Sequence, residues 1–171
     1  MQTCNSNTEL TFKLIALSHY LDSDSKWEND HQNQWSIARL VQEELRQPII
    51  GTACGGTHRL MGLSYAVNRR VKQGKQVTGA WAQARVTTDD WRRYAFRMQN
   101  RDGSFSTNWF EGRGFEDDDE RRLLTTGHIL EWIVFSVPSN QLVQWQTVRA
   151  VDYLTNLLME NRRETLDVGP R

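Results

Sequence analysis

Apolar positions recur at helical spacing along most of the chain. Leu10, Leu14, Leu17 and Leu21 fall on one face and predict a first helix, which the run Asp22 to Ser25 breaks. The segment KWENDHQNQWS that follows is polar apart from two tryptophans and reads as a loop. Ser36 is placed to cap a second helix carrying Ile37, Leu40, Val41 and Leu45, with Pro48 marking its end. After the glycine-rich turn GTACGGTH, a third helix runs from Thr57 to about Gln73, with the stripe Leu60, Leu63, Val67, Val71 and with Gly74 as C-cap. A fourth covers Gly79 to Met98, a fifth Glu120 to Val137, and a sixth, capped by Ser139, Gln141 to Glu160. No stretch alternates convincingly with period two. The expected class is therefore all-α, about six helices in antiparallel pairs within a single helical domain over 1–171, with a flexible tail over 161–171.

Composition narrows the functional classes. The 21 basic and 21 acidic residues cancel, so a global pull toward nucleic acid is not expected, and the basic patches NRRVK and RRYAFR read as solvated helix faces. The acidic run EDDDE suits a helix N-terminus, where carboxylates complement the helix dipole. No apolar run reaches the roughly 18 residues of a membrane span. The N-terminus lacks the pattern of a secretion signal, which makes the cytoplasm the default expectation.

Internal similarity adds a further expectation. Placing His58 over His128 aligns HRLMGLSYAV with HILEWIVFSV at an offset of 70 residues, and the same offset sets Trp35 over Phe105. On this reading both histidines lie near the starts of equivalent helices in stacked helix pairs.

The stretch QNRDGSF, residues 99–105, resembles the glutamine–aspartate–glycine–aromatic signature of squalene and hopene cyclases. GGTHRLMGLSYAV and TTGHILEW resemble inner-helix segments of the wider group of (α/α) toroids, which includes protein prenyltransferase β subunits. The resemblance covers roughly 27–137 and implies a partial toroid or half-barrel, with a concave cavity binding an isoprenoid or a carbohydrate. Gln99 would then close a helix or bond a neighbouring backbone, Asp102 and Gly103 would make a tight turn, and Phe105 would pack between helix pairs. Phe105 stands where the family usually has tryptophan. EDDDE lacks the pattern of the cyclases' protonating motif, so cyclase activity is not implied. Six helices are also fewer than a closed ring of this kind needs, which leaves room for a protein partner or self-association to complete it. A noncatalytic helical scaffold, or a fragment without activity of its own, is the alternative.

Two sets of residues carry candidate chemistry. His58, Tyr65, His128, Glu131 and Trp132 make an aromatic and polar helix face suited to a sugar or a cation; the competing reading is core packing with His128 and Glu131 paired. Cys54, His58 and His128 are residue types that ligate zinc. In the toroid group, prenyltransferase β subunits hold zinc with Asp, Cys and His, and lanthipeptide cyclases with two Cys and a His. The simpler reading, with no metal, takes Cys54 as a small buried residue and the histidines as helix-end residues.

Overall fold

The computed structural model describes residues 4–6 and 8–166. It is predominantly helical: α1 (Thr11–Tyr20), α2 (Ile37–Arg46), α3 (Thr57–Lys72), α4 (Ala80–Met98), α5 (Asp119–Ser136) and α6 (Trp145–Glu160), with short 3-10 turns at Ala53–Gly56 and Ser139–Gln141. Among the described residues no helix is long and apolar enough to cross a membrane. The chain divides into two compact units, one of residues 1–49 and 58–89, the other of 50–57 and 90–171.

In the first unit, α1 packs on α2. The core joins Leu10, Leu14, Ile37, Leu40 and Val41 to Leu63 and Val67 of α3 and to Trp81 of α4. Val71, the last position of the α3 stripe, is exposed instead, because the helix ends one residue later. Ser36 caps α2 through its hydroxyl, which accepts the Arg39 N–H at 3.0 Å. Gly74, at φ +70°, closes α3 with its N–H on the Val71 carbonyl.

The segment expected as a loop forms a small antiparallel hairpin, β1 (Lys26–Glu28) and β2 (Gln34–Ser36), with Trp27 opposite Trp35. Three-residue strands are too short to show alternation. The hairpin is held by its Trp pair, by burial of Trp35, and by Asn29, whose carboxamide oxygen accepts the His31 and Asn33 N–H groups.

A buried ion pair ties this unit together. The Glu44 carboxylate of α2 accepts from the Leu10 N–H at 2.8 Å, the Thr11 hydroxyl at 2.6 Å and Arg59 Nε of α3 at 3.0 Å. Arg59 also donates to the Pro48 carbonyl. Leu10 has no side-chain cap of its own, so Glu44 supplies the acceptor that the N-terminus of α1 needs.

In the second unit α5 packs on α6. Phe110 lies edge-on to Trp132 at 5.9 Å, and Phe105, fully buried, sits 6.2 Å from Phe96. Asp118 caps α5 by accepting the Arg121 N–H, with Asp119 and Glu120 in the first turn. The sixth helix starts at Trp145 rather than Gln141. Ser139 makes no cap, because the chain after Pro138 first closes the 3-10 turn and passes through an extended Gln144. At the start of the expected tail Asn161 Nδ2 donates to Asp119 and to the Leu157 carbonyl; residues 167–171 lie outside the described residues.

The 99–114 segment is a hydrogen-bonded knot. Gln99 Nε2 donates to the Gly103 carbonyl at 2.9 Å and to the Gln146 carbonyl at 2.8 Å, at the start of α6. Asp102 accepts from the Ser104 N–H and hydroxyl. A Cβ at Gly103, where φ is +103°, would lie 2.4 Å from the Arg149 carbonyl oxygen. The Phe105 N–H reaches Thr126 of α5 at 3.1 Å. The 70-residue offset does not align the helices that follow. His58 is the second residue of α3, whereas His128 stands mid-way along α5; Trp35 is two residues before α2, Phe105 fourteen before α5. The loop before α5 has shifted the helix start relative to the side-chain pattern.

Phe105→Ala should lower stability by about 3–5 kcal/mol, read from denaturant unfolding, because it empties a fully buried ring site. An unchanged midpoint would place the ring outside the core.

A second expectation concerns acid. Asp24 is held at about 2, below 3.8, by hydrogen bonds first from Arg70 and then from Lys75. A depressed folded pKa gives a contribution present above 3.8 and lost as pH falls through about 2. Asp24→Asn should therefore flatten the fall in melting temperature across that window. The difference should shrink at high salt, since Asp24 is exposed. Identical acid limbs in the two proteins would refute it.

Candidate functional site

The turn between α2 and α3 is shaped by residues that few side chains tolerate. Cys54 has φ +48° and ψ +41°, a left-handed conformation uncommon outside glycine, and Gly55 and Gly56 follow with φ +61° and +87°. The Thr57 hydroxyl donates to the Cys54 carbonyl at 2.8 Å and joins this turn to the first turn of α3. Gly55 leaves room for an aromatic ring. A Cβ there would lie 2.4 Å from Trp109 Cδ2. Trp109 itself has φ +52°, so two non-glycine residues in left-handed geometry meet at one place in the second unit.

Trp109 extends the contact to α5. Its ring lies 6.1 Å from that of His128, and the Arg121 guanidinium stacks over it at 5.5 Å. Arg121 Nε donates to the Thr107 carbonyl at 2.9 Å. One helical turn beyond His128, Glu131 brings Oε2 to 3.5 Å from His128 Nδ1.

These contacts bring two ligand types together in the second unit: Cys54 and His128 each offer one ligand atom, and these atoms lie within 4.8 Å of each other. His58 belongs to the first unit and directly follows Thr57, where the 50–57 segment ends. All three are half-buried. Burial pushes the Cys54 thiol up, and the Glu131 charge adds to this; a bound cation would act in the opposite sense by stabilising the thiolate.

Two depressions flank the cluster in the second unit and meet at Leu124. One, of about 490 Å³, is lined by the 51–55 turn with Trp109, Glu111, Arg121 and Leu124. The other, of about 250 Å³, is lined by Leu123, Leu124, Gly127, His128 and Glu131.

Of the remaining residues expected on the binding face, Trp132 is fully buried against Phe110. Tyr65 is half-buried and pairs its hydroxyl with His19 Nδ1 at 2.5 Å. His58 also stands 5.4 Å from the Phe12 ring. Sequence reasoning missed Trp109 and Arg121 as site residues. The signal available for Trp109 was its place in the loop opened by QNRDGSF; none singled out Arg121 among 21 basic residues.

No protein-family model, curated protein or solved structure matches this chain.

Gly55→Ala should destabilise the fold by about 1–3 kcal/mol, because the added methyl collides with Trp109 and the φ is unfavourable. Thermal unfolding and tryptophan emission would both report it. A variant matching the parent in both would mean that the turn and the ring are not packed together.

Proposed function

We propose that this chain is a zinc-binding helical protein whose centre includes Cys54 and His128. The observation that carries this reading is the convergence of one sulfur and one imidazole nitrogen within 4.8 Å in the second unit. Around tetrahedral zinc such atoms lie about 3.3–3.6 Å apart, given the usual Zn–S and Zn–N bond lengths. Small side-chain rotations close the difference. A thiolate with an imidazole suits zinc better than calcium or magnesium, which favour oxygen ligands.

Protein ligands that do not fill all four positions on zinc leave room for water or a substrate atom, the pattern of a zinc site that does chemistry rather than one that only holds a fold. Glu131 completes the design as an outer partner: facing His128 Nδ1, it orients the ring and leaves Nε2 to the metal. The depressions on either side of Leu124 give a small molecule access to that position. The toroid resemblance is a frame compatible with this reading. The Gln99 bonds to the Gly103 and Gln146 backbones and the buried Phe105 ring support it.

The test is metal content and cobalt substitution. The purified protein is expected to hold about one zinc per chain and, with Co(II) in its place, to develop a thiolate-to-cobalt charge-transfer band and tetrahedral d–d bands. Cys54→Ser should abolish the charge-transfer band. His128→Ala should weaken binding beyond the roughly 10–100-fold expected of Glu131→Gln, an outer-partner change. Folded protein that takes up neither metal, or a charge-transfer band that survives in Cys54→Ser, would refute the centre.

A further inference from the structure

We infer that the cleft beside Cys54 binds a small molecule through an oxyanion group, a carboxylate or a phosphate, and that Arg121 is the residue that receives it. This inference rests on the metal reading above and names the ligand class of the same site. Four observations in the second unit carry it. First, the cleft holds about 490 Å³, within the roughly 300–1,000 Å³ of small-molecule sites. Second, Arg121 lines it together with Cys54, so one wall presents a fixed cation and the other a candidate metal ligand.

Third, the guanidinium is held in place yet incompletely used. Nε is committed to the Thr107 carbonyl and the plane lies over Trp109, which fixes its direction. Its terminal amino groups have no hydrogen-bond acceptor and no carboxylate partner among the described residues. Arg122, the next residue, differs: it is paired with Asp117 and Asp119. A guanidinium fork with one edge anchored and the other edge open matches a carboxylate or phosphate in bidentate geometry. Fourth, the backbone at Cys54 and Trp109 is held in left-handed geometry at the walls of this same cleft, where strain of that kind commonly marks ligand clamps.

The exposed Glu111 also lines the cleft. It disfavours a ligand that is anionic throughout and suits one carrying a hydroxyl or amino group beside its oxyanion. The Trp109 ring adds an apolar face to the same cleft.

The experiment uses the Co(II)-loaded full chain. Inorganic phosphate is followed by phosphorus NMR and ¹³C-labelled acetate by carbon NMR. Arg121 and Cys54 line the same cleft, so an anion held there should be relaxed by the paramagnetic ion, and the two probes distinguish a phosphate site from a carboxylate site. Concentration-dependent broadening of at least one probe is expected. Arg121→Gln should weaken its binding roughly 10–100-fold, the loss of a charge-assisted pair. Arg121→Lys should fall between. The cobalt charge-transfer band should be unchanged in both variants and serves as the check that the site is intact. If the band forms but neither anion broadens, or if Arg121→Gln binds as tightly as the parent, the inference is overturned while the metal centre stands. If no cobalt is bound, the metal reading and this inference fall together. Should Arg121→Gln lose the band, the comparison of parent with Arg121→Lys decides: equal anion affinity in that pair also overturns the inference.

Discussion

The first unit depends on a buried ion pair. Glu44 and Arg59 are both almost entirely removed from water. Burying two charges costs several kcal/mol each, and only close geometry with further hydrogen bonds offsets that. Here the carboxylate has three donors: Arg59, the Thr11 hydroxyl and the Leu10 N–H. The guanidinium in turn satisfies the Pro48 carbonyl. One polar node thus supplies the missing cap of α1, fixes α2 against it, and pins the first turn of α3. His58 is the residue immediately before Arg59 on that turn.

The second unit is organised by a loop in place of an ion pair. Segment 99–114 satisfies its own backbone through side chains. Asn100 Nδ2 reaches the Gly114 carbonyl at 3.1 Å, and the Ser106 hydroxyl accepts the Asn108 and Gly114 N–H groups while donating to the Gly112 carbonyl. Such internal satisfaction lets irregular chain be buried, which would otherwise leave orphaned amides. The result is a rigid platform that presents Trp109 to the Cys54 turn on one side and to His128 and Arg121 on the other.

The two features have a common logic. Ligand candidates in the second unit come from a strained turn and the middle of a helix. Neither is positioned by helix propensity. Each is placed by a neighbour that is itself locked: Cys54 by Thr57 and by the fit of Gly55 to Trp109, His128 by Trp109 and Glu131. Supporting contacts of this kind are what hold a site to working geometry.

Sequence alone determined the helical class, because apolar spacing is local and periodic. It placed the starts of α2 and α5 through Ser36 and the 116–120 acidic run, and the end of α3 through Gly74, because caps are short-range hydrogen-bond chemistry. It also read the Asp102-Gly103 turn, whose Asx contact spans two residues. Tertiary structure decided the rest. The 26–36 hairpin is too short to leave a period-two trace. Glu44 reads from sequence as one more charge on an amphipathic helix, and only Arg59 and the end of α1 bury it. Cys54 and His128 lie far apart along the chain, and nothing local states that α5 returns to the Cys54 turn. That return is set by the packing of Trp109 and Phe110 against α5, a long-range interaction between side chains whose pairing leaves no periodic signal in the chain.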